Sequence, residues 1–465
     1  MRKVFCVFIW LFLAFNLAYS EPPGTKATDL PDFRKDERIL VLAPHPDDET
    51  IGCAGIIQQA MKAGAQVRVV YLTNGDHNEF AFIVYKKRIP FRKSEFLYLG
   101  EVRRKEAIKA MQLLGLPPGQ LIFLGYPDFG TFSIFAKHWG QALPFKNLLT
   151  RVTAVPYKEN FSFGAPYKGE SILADLEKII ARYRPDKIFV SHPADVNADH
   201  KALYLFLEVT LSDLEKGMPR PQVYSYLIHR VGWPLPRRYH PELPLLPPEQ
   251  FSDSAISWFK SELSTQELDN KYQAILCYKS QTESSAFYLM SFARKNELFS
   301  YCSGISLKKQ ISPPAESISF LGGSGMFTDS DMAALSDFNR TASDKGTVSY
   351  GVKGNSLLIR ITKAGSRYRW PSMVFYLFGY SYKTPFARMP KIRVIAGNNI
   401  IKIFDGARAV KAEGIFVASG DKQAVLEIPL EALGDPDFIL ASVKTYSGLL
   451  SAQAAAFRRV DILNK

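Results

Sequence analysis

The stretch Ala43-Pro44-His45-Pro46-Asp47-Asp48-Glu49-Thr50-Ile51-Gly52-Cys53-Ala54-Gly55 decides the fold. Ahead of it, Arg38-Ile39-Leu40-Val41-Leu42 reads as a buried strand. Behind it, Gly55-Ile56-Ile57-Gln58-Gln59-Ala60-Met61 reads as a helix. The stretch is therefore a strand-to-helix turn, the place where α/β folds hold their ligands. One imidazole and three carboxylates crowd into residues 45–49. Unpaired carboxylates beside a buried strand end are costly, and a cation offsets the cost. His45 and Asp48 stand three apart, so both reach one point if a helix starts here. Asp47, between them, points elsewhere and is free to hold a water. Glu49 is expected to bond backbone N–H groups of the turn.

A second strand end supplies further donors. Lys187-Ile188-Phe189-Val190-Ser191 is followed by His192-Pro193-Ala194-Asp195-Val196-Asn197-Ala198-Asp199-His200. Catalytic zinc keeps three protein ligands and one open position. His45, Asp48 and one of His192 or His200 meet that count. Between the two strand ends lie a return strand at 67–72, the turn Thr73-Asn74-Gly75-Asp76-His77, a helix at about 101–114 and a short strand at 121–124. Tyr126-Pro127-Asp128 follows that strand. Residues 129–168 lack a period and read as a wall or lid of the cleft. A helix with the stripe Ile172, Leu173, Leu176, Ile179 and Ile180 then leads to the 187–191 strand. This alternation predicts an α/β fold with a doubly wound, mostly parallel, Rossmann-like sheet.

Ala43/Pro44-His45-Pro46-Asp47-Asp48-Glu49 with Asp199-His200 downstream resembles the PIG-L/LmbE-type zinc N-deacetylases. Leu72-Thr73-Asn74-Gly75, Arg103 with Glu106, Leu124-Gly125-Tyr126-Pro127-Asp128 and Tyr278-Lys279-Ser280-Gln281 follow in the same order, so the resemblance covers roughly residues 37 to 300. It implies one zinc ion held by His45, Asp48 and His200. It implies Asp47 as general base, with Arg103, Asp128 and Asn74 on the substrate side; Asp199 is expected to orient His200 or a neighbouring group, or to act as a cap. Arg103 also reads as a helix-face partner for Glu106 or Asp128. Many members carry a histidine three residues before the ligand histidine; Asn197 stands there in this chain. An amide donates a hydrogen bond to an oxyanion but delivers no proton at neutral pH. His192 and His229 are the candidates to substitute, and Asp195 is expected to bind backbone or sugar hydroxyls.

The 465 residues carry a formal net charge of +13 without a dense Lys/Arg run. Nucleic-acid binding is therefore not expected, while attraction to anionic envelope polymers or lipid headgroups is. Gly52 and Gly55 are too closely spaced for a dinucleotide fingerprint, and the acids would repel a pyrophosphate. Residues 1–20 read as a signal peptide cleaved near Ser20, which predicts a periplasmic or extracellular protein. Residues 21–36 read as a tether and 37–305 as the catalytic domain. Cys53, Cys277 and Cys302 describe no disulfide framework. From 313 to 465, short alternating runs at 357–361, 373–377, 392–395, 400–404 and 425–428 predict a C-terminal β-sandwich domain. It vaguely resembles DOMON-like carbohydrate-binding sandwiches. The expected activity is hydrolysis of an N-acetyl group from an amino sugar of an envelope or extracellular glycan or glycoconjugate. The alternatives are an amidase on a non-sugar substrate and a catalytically inactive glycan-binding protein.

Overall fold

The computed structural model describes residues 27–77, 92–248, 251, 256–308, 339–343, 346–363, 372–397, 400–411, 413–419, 423–447, 450–454 and 456–463. The expected signal peptide, residues 1–20, and residues 21–26 of the expected tether lie outside the described residues.

The first sheet contains β1 (Thr28–Asp29), β2 (Arg38–Ala43), β3 (Gln66–Thr73), β4 (Leu121–Tyr126), β5 (Lys187–Ser191), β6 (Gln222–Tyr226), β7 (Ile256–Glu262) and β8 (Asn296–Cys302). Their order is β1-β7-β8-β6-β5-β2-β3-β4. From β6 to β4 every pairing is parallel, whereas β8 runs antiparallel to both β6 and β7. The sheet is thus mixed, with a parallel block at its centre and one side. The helices are α1 (Asp48–Lys62), α2 (Lys93–Leu113), α3 (Thr131–Lys137), α4 (Gly169–Tyr183), α5 (Ala198–Leu214), α6 (Thr265–Ile275) and α7 (Lys279–Leu289).

Strand β2 shows why the parallel block forms. Ile39, Val41 and Ala43 enter an apolar cluster with Ile56 and Ile57 of α1 and Ala107 and Met111 of α2. Leu40 and Leu42 enter a second cluster with Ile172 and Leu176 of α4 and Leu203 and Phe206 of α5. A strand covered on both faces reads as a continuous apolar run, as this one does. The chain leaves β2 towards β3 and β4, then returns to place β5 and β6 on the other side. The turns after β2 and β5 therefore meet at a switch point.

Three stretches differ from the sequence reading. Helix α2 starts at Lys93 rather than near 101, because Phe96 and Leu99 are buried ahead of the regular stripe. The 129–168 segment is not irregular throughout: it holds α3, with Ile134 and Phe135 fully buried, and a bridge between Ala154 and Pro166. Residues 27–36 are not a free tether, since β1 pairs with β7 and the Phe33 ring lies 6.3 Å from Phe189.

The remaining strands are β9 (Ile305–Lys308), β10 (Asn339–Ser343), β11 (Gly346–Lys353), β12 (Ser356–Lys363), β13 (Ser372–Tyr380), β14 (Lys391–Gly397), β15 (Ile400–Asp405), β16 (Arg408–Val410), β17 (Phe416–Ser419), β18 (Gln423–Pro429), β19 (Phe438–Ser447), β20 (Leu450–Ala454) and β21 (Arg458–Leu463). They form one sheet ordered β10-β11-β12-β18-β17 and another ordered β16-β15-β14-β13-β19-β21-β9, with β20 on β19. Alternate side chains of both sheets, among them Leu357, Ile359, Phe375, Leu377, Leu426 and Ile439, share one apolar cluster.

This strand-rich half is joined to the first sheet by an aromatic seam. Phe378, Tyr380, Phe386, Phe438 and Phe457 belong to the same cluster as Phe135 and Trp139 of the 129–168 segment and Phe206 of α5. Phe135 meets Phe206 edge-on at 4.9 Å and Phe378 at 5.2 Å, and Trp139 meets Phe386 at 5.1 Å. Such edge-to-face pairs add to the burial that already drives the contact. The Phe457 N–H donates to the Pro193 carbonyl at 3.2 Å, reaching the loop that follows β5.

Candidate metal centre

The turn after β2 places its side chains by its own geometry. Helix α1 begins at Asp48, with Asp47 as the residue before it at φ 124°. A non-glycine residue there is strained, and such strain gathers at functional sites. The Asp47 N–H is held by a Glu49 carboxylate oxygen at 3.0 Å, and Glu49 also accepts from the Thr50 hydroxyl at 2.9 Å and from Tyr278. Glu49 is therefore a buried clamp on the turn, as expected of it. Burial pushes its carboxyl up to about 7 despite those donors.

Asp48 Oδ2 lies 3.1 Å from His45 Nδ1 and 3.1 Å from His200 Nε2. Ligand atoms of these three residues all lie within 4.8 Å of one another, and all three residues are buried. His200 sits on the first turn of α5, which Asn197 caps by accepting from the Asp199 N–H at 2.8 Å. His200 Nδ1 faces Asp195 Oδ2 at 3.1 Å. Yet neither His200 ring nitrogen makes a well-formed hydrogen bond, although the ring is fully buried. Buried polar atoms in that state call for a partner. Two imidazoles and one carboxylate, with both His200 ring nitrogens short of a hydrogen bond, fit a divalent ion with an open position.

Without an ion, charge is balanced by protons. Burial lowers the His200 pKa, but Asp195 and Asp48 outweigh it and raise it to about 9. Burial likewise opposes the charged His45 ring, and Asp128 raises it overall. Burial would raise Asp48, but His200 and His45 hold it well below the usual carboxylate range. A metal ion would take the place of these protons, so metal affinity is linked to pH.

Asp47 lies outside the three-residue set. Burial raises its pKa, against the pull of Arg103, whose guanidinium lies 3.3 Å away. Arg103 also donates to the carbonyls of Pro46 at 2.8 Å and Gly75 at 3.0 Å. It braces the turn and does not pair with Glu106, which instead accepts from the N–H and hydroxyl of Ser280 at 2.9 and 2.6 Å. A Cβ on Gly75, at φ +66°, would lie 2.2 Å from the guanidinium, so this position needs glycine.

The remaining candidates separate into those near the centre and those away from it. Asp199 Oδ2 lies 3.3 Å from His45 Nε2; the carboxylate is anchored by the Phe129 N–H at 2.6 Å and the Thr131 N–H at 3.0 Å. It faces His45, the neighbouring group that the expectation allowed, and not His200. Asp128 Oδ1 faces the same His45 nitrogen at 3.1 Å, closer to the centre than a residue that only met substrate would need to be. Asp195 accepts from the backbone N–H groups of Asn197, Ile228 and His229, and so faces His200 and not a cleft. The His229 ring packs edge-on against His200 at 4.7 Å and stacks on Tyr288. Burial lowers its pKa to about 4.

His192 is turned away. Its ring stacks on Trp258 at 5.8 Å and touches Phe251, Nδ1 accepts from the Ala194 N–H at 2.9 Å, and Nε2 faces the Cys302 thiol at 3.7 Å. The expectation that it approaches the centre is corrected: the turn at Pro193-Ala194 folds the ring back into an aromatic pocket. Asn74 is buried, and its Oδ1 accepts from Asn160 at 2.8 Å; its Nδ2 lacks a partner. Sequence reasoning missed Thr131 and the Phe129 backbone and gave Tyr278 no role of its own; their contacts come from chain brought in over long separations.

Residues 40–210 match the family described as PIG-L: GlcNAc-PI de-N-acetylase. A 1D-myo-inositol 2-acetamido-2-deoxy-alpha-D-glucopyranoside deacetylase of Tsukamurella paurometabola is 34% identical over 91 residues, 19% of this chain and 30% of that protein. Its counterpart in a Nocardioides species is 32% identical over 112 residues, 23% of this chain and 35% of that protein. The chain thus spans about a third of the length of these curated relatives. An N,N'-diacetylchitobiose deacetylase from Pyrococcus horikoshii is 20% identical over 57% of this chain and 82% of its own, with a TM-score of 0.33. The likeness to the PIG-L deacetylases rests on the segment carrying both ligand-bearing turns, and it supports the resemblance read from their residues.

Proposed function

We propose that the protein is a zinc-dependent hydrolase that removes an N-acetyl group from an amino sugar of an envelope or extracellular glycan or glycoconjugate. One observation carries this reading: His45, Asp48 and His200 converge, while Asp47 is left outside them, strained and held by Arg103. The match over residues 40–210 and the amino-sugar deacetylases among the relatives support the substrate class.

His45, Asp48 and His200 would hold the ion. When bound, zinc would acidify a water and polarise the amide carbonyl. Asp47 takes the proton of the attacking water and returns it to the leaving amine, a role suited to a carboxyl raised towards neutrality. Arg103 fixes the direction in which Asp47 points. Asn197 spends its carbonyl oxygen on the Asp199 N–H, which leaves its Nδ2 as a hydrogen-bond donor for the oxyanion. His229, packed on His200, lines the same space as a neutral ring, since burial lowers its pKa to about 4, and offers a hydrogen bond while Asp47 carries the proton. Asp128 accepts from a sugar hydroxyl. The basic net charge favours an anionic envelope surface, reached by export. The two C-terminal sheets are read as a sandwich and the first sheet as Rossmann-like.

The test is acetate release from N-acetylated amino-sugar oligomers, before and after chelation and after return of zinc. Release that is lost on chelation and restored by zinc supports the reading. Release from simple acetamides but from no sugar substrate overturns the substrate class.

A further inference from the structure

The His45 ring has two edges, and each faces carboxylates. Nδ1 faces Asp48, on the side of His200. Nε2 faces Asp128 Oδ1 at 3.1 Å and Asp199 Oδ2 at 3.3 Å. Ligand atoms of His45, Asp128 and Asp199 also lie within 4.8 Å of one another, and all three residues are buried. A single ring N–H cannot serve two carboxylates. Asp199 is well supplied, with donors from Phe129 and from both the backbone and hydroxyl of Thr131. Asp128 is not: His77 N–H serves Oδ2 at 3.0 Å, while Oδ1 is buried with no hydrogen bond, in a residue only 2% exposed. A buried carboxylate oxygen without a well-formed hydrogen bond is costly, and only the facing His45 ring and the Arg103 charge offset it.

We infer that His45 Nε2, Asp128 and Asp199 form a second divalent-cation site on the opposite edge of the ligand histidine. Two ligand atoms of a tetrahedral ion bound at about 2.0–2.1 Å stand roughly 3.3 Å apart, close to the separations found here. Two carboxylates and an imidazole suit zinc, and the set contains an oxygen, Asp128 Oδ1, that lacks a hydrogen-bond donor. Binding there replaces the Nε2 proton of His45, which leaves to solvent. The site is weaker than the first, because it shares the His45 ring with it and takes as a ligand Asp199, which Phe129 and Thr131 already supply with donors. It also occupies Asp128. The inference rests on the proposed function for one point, that an ion in this site withdraws the acceptor offered to the sugar and inhibits at high zinc.

Zinc binding to the metal-stripped full chain, by equilibrium dialysis with metal analysis, tests this. The expected result is one tight and one weaker equivalent. Asp128→Asn, which leaves Asp199 to orient His45, should weaken the second at least tenfold and keep the first, Asp199→Asn should weaken both, and His200→Ala should lose the tight one. A single equivalent in the wild type, or a second that survives both Asn variants, overturns the second site and leaves the proposed function standing. No zinc bound at all overturns both. If the variants do not fold, anomalous scattering at the zinc edge from wild-type crystals decides. Two peaks flanking the His45 ring support the site, and one peak overturns it.

Discussion

The two halves of the molecule use burial differently. At the C-terminal ends of β2, β3, β4 and β5 the chain buries His45, Asp47, Asp48, Asp76, Arg103, Asp128, Asp195, Asp199 and His200 within one region. Among the described residues of the strand-rich half, the buried charged side chains are Lys391 and Arg458. Lys391 stands at the seam with the first sheet, its ammonium 5.1 Å from the Trp139 ring and donating to the Phe386 and Met389 carbonyls. Arg458 begins β21 directly after Phe457, whose N–H reaches the Pro193 carbonyl. Burying charge is costly, so it marks where chemistry is carried out; apolar burial marks where shape is held. On this contrast the first half carries the groups suited to chemistry, and the second packs against it through aromatic contacts to the 129–168 segment and α5.

Four changes break or sharpen that contrast. The largest effect is expected from Asp47→Asn, which keeps shape and removes the proton acceptor. Acetate release should fall by about 10²–10⁴-fold while zinc stays bound. Retained release would move the base elsewhere. Next, Phe135→Ala opens a hole in the seam shared by both halves. Unfolding measured by denaturant should show a loss of about 3–5 kcal/mol in one transition. Two separate transitions, with the second half unaffected, would show that the halves are independent. Third, Asp195→Asn leaves the three proposed ligands in place but loosens the His200 ring, and metal affinity should drop by about 10–100-fold in competition with a chelator.

The smallest effect concerns pH. Burial pushes the Lys391 pKa from 10.5 down to about 7. Between those values the unfolded chain holds the proton and the folded chain does not, so stability rises with pH across that window. Below pH 7 both states are protonated and the folded state bears the full cost of the buried charge. Thermal denaturation from pH 7 to 10 should therefore show rising stability in the wild type and a flatter profile in Lys391→Met. Identical profiles would place no charge cost at the seam.

Much of the reacting half was legible because its signals are local. The apolar run of β2 and the crowding of acids behind it needed no distant residue. Asp199-His200 could be paired with that turn because alternating strands and helices bring strand ends to one rim. What stayed hidden depended on distant chain. The place of His192 is set by Phe251 and Trp258, and no pattern around His192 reports them. Arg103 looked like a partner for Glu106 by helical spacing, yet the carbonyls of Pro46 and Gly75 claim it. The approach of Asp128 to His45 could not be read from a residue two places past the end of β4. The strand-rich half was legible as strands, because period-two alternation is local. Its docking was not, because the seam is built from aromatic residues that read equally well as core.

The most direct test of the metal centre is an anomalous-scattering map at the zinc edge, from crystals grown with one equivalent of zinc. The expected result is one peak bounded by His45 Nδ1, the Asp48 carboxylate and His200 Nε2, with Asp47 near it and not coordinated. A peak elsewhere, or one that takes Asp47 as a ligand, contradicts the assignment of an ion held by two strand ends and a carboxylate left free to move protons.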